Sequence, residues 1–377
     1  AVLGSFDEET CRELPDEVIV AAMTGHQRYF PVEDSSGRLL PRFVSIANRD
    51  PRGGGKASVI RTGNERVLRA RLADALFFWR EDKKVRLEDR LPQLDGVLFH
   101  EQLGSMRAKS ERVAELARWL ATESGQEEAV IEAAERGARL CKCDLVTHMV
   151  FEFPELQGVM GKYYAREDGE PSSVRQAIEE HYLPRGADGA LPRSHVGRLV
   201  AMADKFDSLV GGFAAGLAPT SSKDPFALRR AALGTIAIIR KGNLFRGGPG
   251  LRSVLEQTRE QYRRQGTLFG GDDGLIDRIL TFFRDRLENV LAEQAGSVEV
   301  LRAVLSAGFD NLADLEARLA AVTRFAKRDD FADLCTVVER ARNIVRKEGD
   351  LIAARPEPRK ALLSEEAEIN LHEVYMA

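Results

Sequence analysis

Cationic side chains gather where Ser222-Lys223-Asp224-Pro225-Phe226-Ala227-Leu228-Arg229-Arg230 opens a segment that turns apolar from Ala231. Asp224 is of a type that accepts hydrogen bonds from the free amides of a first helical turn. Pro225 suits the first helical position because it has no N–H to leave unpaired. The expectation is a helix starting at this Asp-Pro, with Lys223, Arg229 and Arg230 crowded on its surface. Charges so placed either face phosphate or simply solvate a helix start. Arg185, one residue past Pro184, offers the same choice between RNA phosphate and an exposed loop position. Other chemistries find little footing. Arg52-Gly53-Gly54-Gly55-Lys56 lacks the spacing and the following Ser or Thr of a phosphate-binding loop. There is no Gly-x-Ser-x-Gly elbow. Of Cys11, Cys141, Cys143 and Cys335, only the middle two are close, with no second Cys or His pair at zinc-ribbon spacing. Free thiols in a reducing cytosol are expected.

These residues need a scaffold. The chain has 377 residues, 44% hydrophobic and 30% charged, which describes a folded protein of two or three domains. A net charge of −4 argues against a globally basic nucleic-acid binder and leaves room for a local basic face. The longest apolar run, near Ala231–Ile239, is about half of a bilayer span, and no signal peptide is evident, so a cytoplasmic location is expected.

Fold class reads as mainly α with a small α/β module. Over residues 1–95, Asp16–Met23 reads as a helix, and Arg28–Val32 and Arg42–Ile46 as strands of a hairpin turning at Asp34-Ser35-Ser36-Gly37. Pro51–Lys56 reads as a loop. Glu65–Phe78 has helical spacing, with Arg66, Arg69, Arg71 and Arg80 along it as a solvated face or an RNA-facing strip. Residues 96–240 read as all helical: Val97–Leu120, Glu128–Cys143 and Ser194–Phe213, punctuated by Pro154, Pro171 and Pro184. Residues 241–377 read as a helical linker region, with Leu275–Leu291, Leu312–Phe325, Phe331–Val345 and a final helix Leu362–Tyr375.

The wording of several runs is specific. The 222–234 segment, Gly25-His26-Gln27-Arg28-Tyr29-Phe30-Pro31-Val32, Gly63-Asn64-Glu65-Arg66-Val67-Leu68, Lys142-Cys143-Asp144-Leu145-Val146-Thr147, Gln157-Gly158-Val159-Met160-Gly161 and His181-Tyr182-Leu183-Pro184-Arg185 occur in this order. Together they resemble the beta subunit of bacterial two-subunit glycyl-tRNA synthetase, over roughly residues 15 to 240. The resemblance implies the central portion of such a subunit, a non-catalytic part of a glycine–tRNA ligase. It would support ATP-dependent ligation of glycine to tRNA-Gly by binding tRNA and docking the catalytic alpha subunit, and would be inactive alone. It implies an alpha2-beta2 holoenzyme, with ATP and Mg used by the alpha subunit and no cofactor in this chain. Lys223, Arg229, Arg230 and Arg185 are then the expected contacts to RNA backbone or partner subunit, by phosphate neutralisation.

Met106-Arg107-Ala108-Lys109-Ser110-Glu111-Arg112-Val113 also resembles the first helix of metal-dependent HD phosphohydrolases, with Lys109 where those enzymes carry histidine. Cys143-Asp144 stands for the His-Asp pair and Asp204 for the last aspartate. The resemblance implies a degenerate HD-like helical domain without metal, since a protonated lysine has no lone pair to give and repels a cation. Lys109 is expected to pair with Asp144 or Asp204 in place of the ion. His100 and His148 read as core or surface histidines. An active HD phosphohydrolase and a purely architectural scaffold are the alternatives.

Overall fold

Phe43 projects from a strand onto the ring of Tyr29, 4.7 Å away, and both are buried. In the computed structural model this strand, β3 (Leu39–Ser45), is the centre of a three-stranded antiparallel sheet with β1 (Val2–Ser5) and β2 (Phe30–Glu33). The structure describes residues 1–25, 27–48, 56–186, 189–220, 223–242, 248–267, 274–347 and 365–376. Val2 pairs with Ser45 and Phe30 with Val44, and the β2–β3 register shifts after Pro31, where the ladder lacks a proline N–H. A Cβ on Gly4 would run into the Phe43 ring, so that position needs glycine. The expected hairpin is present, but its strands begin at Phe30 and Leu39, and Arg28 lies outside with φ 53°. The four residues of β1 are too few to show an alternation, and they were missed.

Helices α1 (Glu8–Glu13), α2 (Asp16–Thr24) and α3 (Lys56–Asp82) complete this module. α3 begins well before the expected Glu65; the expected loop over 51–56 falls, except for residue 56, outside the described residues. A 3-10 stretch Glu88–Gly96 leads to a small ladder, β4 (Leu98–His100) with β5 (Gly104–Ser105). That corrects the single helix expected over Val97–Leu120. Gly104 turns with φ +86°, the Ser105 hydroxyl accepts from the Ala108 amide at 3.2 Å, and α4 runs only from Met106 to Glu123.

The helical body follows. α5 (Glu128–Leu140) stops three residues short of Cys143, which opens a 3-10 turn Cys143–Val146. α6 (His148–Glu152), α7 (Val159–Glu167) and α8 (Ser172–Glu180) lead to α9 (His195–Ala214), capped by Ser194 through the Gly197 amide at 2.9 Å. α9 is buried along almost its whole length, as expected of a helix apolar on most sides. α4, α5 and α8 pack against it, and α10 (Leu228–Gly242), α11 (Leu251–Arg264) and α12 (Leu275–Ala295) pack on its remaining surface. Phe206 and Phe283 meet in this core at 6.3 Å. α13 (Val298–Ser306), α14 (Leu312–Phe325) and α15 (Phe331–Lys347) extend the array, and α16 is Glu366–Met376. Of the expected last helix, residues 362–364 lie outside the described residues.

Candidate functional site

α4 places Lys109 and Arg112 three residues apart, and α9 does the same for Asp204 and Asp207, so each pair shares a helix face. Where the helices cross, all four side chains are buried. Lys109 Nζ lies 2.9 Å from Asp207 Oδ2 and 3.3 Å from Asp204 Oδ1, and donates to Ser208 Oγ at 2.9 Å. Arg112 donates through Nε to Asp207 Oδ1 at 2.6 Å, while its guanidinium lies 3.9 Å from the centre of the Tyr262 ring. Lys142 reaches Asp204 Oδ1 at 3.2 Å. Of the two partners expected for Lys109, the structure selects Asp204 and adds Asp207; Asp144 is not one of them.

Electrostatics follow from this packing. Burial pushes the Asp204 carboxyl up, but the charges of Lys109, Lys142 and Lys205 outweigh it and hold the group well below the carboxylate range. Asp207 shows the same balance, desolvation against Arg112 and Lys109, and is lowered. His181 Nδ1 lies 2.6 Å from the Ile178 carbonyl and Nε2 2.9 Å from Lys142 Nζ. Those partners make Nδ1 the donor and Nε2 an acceptor, and burial followed by the Lys142 charge drives the imidazole far below its usual value. His181 is neutral. Lys205 donates to the Leu183 carbonyl at 2.6 Å, and burial pulls its pKa down to about 8.

Asp144 has turned elsewhere. Its Oδ2 accepts from the amides of Gly158 (2.6 Å) and Gly161 (3.0 Å) at the start of α7. Gly158 adopts φ +84°, and a Cβ on Gly161 would come within 3.1 Å of that oxygen. Asp144 Oδ1 is buried with no hydrogen-bond partner among the described residues. Burial outweighs the two amides and raises the carboxyl to about 6. Burial also pushes the Cys143 thiol up, which keeps it protonated and a poor metal ligand. The residues at the four positions Lys109, Cys143, Asp144 and Asp204 therefore do not fit a divalent ion: an ammonium occupies the ligand space, one carboxylate is spent on ammoniums and the other on a helix start. Among the described residues no three His, Cys, Asp or Glu side chains gather as a metal set.

Above the cluster opens a pocket of about 420 Å³ lined by Arg185, Arg230, Lys205, Tyr182, Ser208 and Phe226, among others. Two of the four expected contact residues, Arg185 and Arg230, thus come together. Arg185 is braced by the carbonyls of Gln157 (3.0 Å) and Glu155 (3.3 Å). Arg230 is exposed and makes no ion pair with a described residue. Arg229 is half-buried and donates to the Thr220 carbonyl, and Lys223 is exposed outside the pocket lining.

The helix start differs from expectation. Pro225 and Phe226 form a turn and α10 begins at Leu228, yet Asp224 still caps it, accepting from the amides of Leu228 (2.8 Å) and Arg229 (3.0 Å). The turn forces Ala227 to φ 55°. On α3, Arg71 pairs with Glu152 and Arg80 with Glu13, leaving Arg66 and Arg69 exposed. His148 stands 3.0 Å from Asp82 and mostly in solvent, and His100 is half-buried with its ring 5.6 Å from Phe226. Lys142, His181, Lys205, Asp207 and Arg112 were not assigned roles from sequence. The available signal was Asp204 and Asp207 at three-residue spacing on the largely apolar α9.

A family model described as glycyl-tRNA synthetase beta subunit matches residues 1–306. The chain belongs to this family. It is 43% identical over 370 residues to the glycine–tRNA ligase beta subunit of Edwardsiella ictaluri, covering 98% of this chain and 52% of that protein. The beta subunit of Myxococcus xanthus is 44% identical, with 99% and 52% covered, and that of Moorella thermoacetica 42%, with 100% and 53% covered. The chain spans about half the length of the curated relatives it matches. No described helix is long and apolar enough to cross a membrane.

Proposed function

We propose that this chain is the portion of a glycine–tRNA ligase beta subunit that holds tRNA-Gly and docks the alpha subunit, with no chemistry of its own. In this reading residues 1–95, 96–240 and 241–377 act as an α/β module, a degenerate HD-like domain and a helical linker. The alpha subunit binds ATP and Mg and activates glycine in a cytoplasmic alpha2-beta2 enzyme. The observation that carries the reading is the distribution of cations. Arg71, Arg80, Arg107 and Arg136 are consumed by carboxylates of the chain. Lys223, Arg229, Arg230 and Arg185 form no ion pair with any described residue, although they surround one turn and one pocket. Cations without internal partners suit phosphates, which they neutralise without reading bases. An HD phosphohydrolase activity lacks support, because the ligand positions do not fit a metal. A purely architectural role predicts no RNA footprint on this surface.

The test is tRNA-Gly binding by the full beta subunit in complex with its partner, followed by fluorescence anisotropy across a salt series. Arg229→Glu with Arg230→Glu should weaken binding by about tenfold or more at low salt, and flatten the dependence of log K on log salt by about two. Unchanged affinity for both tRNA and the alpha subunit would remove the assignment.

A further inference from the structure

The pocket between α9, α10 and the 182–185 segment has a charge balance that a backbone contact does not need. Lys109, Arg112, Lys142, Lys205, Arg185 and Arg230 are gathered around it or beneath it, against Asp204, Asp207 and Asp144. Asp204, the one carboxylate in the lining, already holds two ammoniums on the same oxygen. Lys205 at the floor donates to the carbonyls of His181, Leu183 and Ala201 and makes no ion pair with a described residue. The mouth carries two exposed guanidiniums, Arg185 and Arg230.

Shape adds to charge. About 420 Å³ lies in the range of cavities that enclose small ligands. Phe226, 37% exposed, and Tyr182 give aromatic walls, and the Tyr182 hydroxyl makes no hydrogen bond with a described residue. The pocket is held open by its own backbone: Ala227, in its lining, keeps φ 55°, and Gly234 approaches so closely that a Cβ would lie 2.9 Å from Lys205 Cε and 3.2 Å from Pro184. A non-glycine residue in the left-handed region at a pocket rim is a cost that a site can use to fix its geometry.

We propose that this pocket binds a phosphate monoester, with the dianionic head between Arg185, Arg230 and Lys205 and the attached group against Phe226. The inference goes beyond the tRNA-backbone reading. A backbone phosphodiester carries one charge and leaves by two chain ends, whereas the lining of this open-mouthed pocket gathers three cations, Arg185, Lys205 and Arg230. A terminal phosphate carries up to two charges and has one exit. A free mononucleotide and the 5′-terminal phosphate of an RNA share this chemistry.

Isothermal titration of the full beta chain, without its partner, tests the site with inorganic phosphate, AMP and adenosine. Phosphate and AMP should bind and adenosine should not, and Arg230→Gln should weaken both by about tenfold; Arg263→Gln, on the exposed end of α11, should change neither. Competition then separates the sources. Displacement of AMP by tRNA-Gly bearing a 5′-phosphate, and not by the 5′-hydroxyl form, assigns the RNA terminus. AMP binding indifferent to the state of the RNA end assigns a free nucleotide. Absence of phosphate and AMP binding, equal binding of adenosine, or unaltered binding in Arg230→Gln overturns the proposal. Intact tRNA affinity beside any of those results would leave the proposed tRNA role standing.

Discussion

Asp204 is the residue on which the buried cluster depends. It faces Lys109 and Lys142 directly and lies in the field of Lys205, so cations outnumber it locally. Truncating one side of a buried ion pair exposes whatever charge is left behind. Asp204→Asn leaves ammoniums without their counter-charge and should cost roughly 3–5 kcal/mol in denaturant unfolding. Lys109→Met leaves Asp204 with Lys142 and Asp207 with Arg112, so it should cost clearly less. The reverse order would refute the cation surplus. The pH dependence has a definite sign. Because the folded pKa of Asp204 lies below the ordinary 3.8, its contribution is present above pH 3.8 and is lost as pH falls toward the folded value. Acid titration of wild type should show that loss, and Asp204→Asn should lack it. Asp144, raised to about 6, has the opposite sign: its ionisation on going from pH 4 to pH 7 weakens the fold.

At the scale of elements, the caps decide boundaries that periodicity alone misplaces. Asp224 satisfies two amides of α10 across a turn, so Asp224→Ala should cost about 1 kcal/mol in thermal unfolding. Ala227→Gly removes a left-handed alanine and should be neutral or stabilising by up to about 1 kcal/mol; a loss of stability there would mean the turn is misread. These details explain what was legible in the residues. α9, α12 and α14 follow directly from apolar spacing and lie where it puts them. The Asp-Pro signal marked the cap of α10 correctly but not its first turn, because a three-residue turn intervenes. The β4–β5 ladder was hidden because Leu98, Phe99, Leu103 and Met106 also fit a helical stripe; only Gly104 betrays the break. The charge cluster was half legible: the sequence offers Asp144 or Asp204 as the partner of Lys109 without choosing between them, and Lys142 and His181 meet Asp204 only through the fold of α5, α8 and α9.

For the whole molecule, a formal charge of −4 coexists with a local group of cations beside α10. Arg136, Arg139 and Arg252 pair within the chain, whereas Arg185, Lys223 and Arg230 beside α10 make no ion pair with a described residue, and the functional reading turns on their grouping around one turn and one pocket. The chain belongs to the glycyl-tRNA synthetase beta-subunit family, and in the reading proposed above the partner subunit carries the chemistry. Binding and chemistry should therefore separate cleanly in the assembled enzyme. The decisive measurement is made on the holoenzyme carrying Arg229→Glu and Arg230→Glu in the beta subunit, comparing glycine-dependent ATP–pyrophosphate exchange with tRNA charging. Exchange at the wild-type rate, with KM for tRNA-Gly raised about tenfold or more, is the expected result. Loss of exchange together with charging, or charging at the wild-type KM, would contradict it.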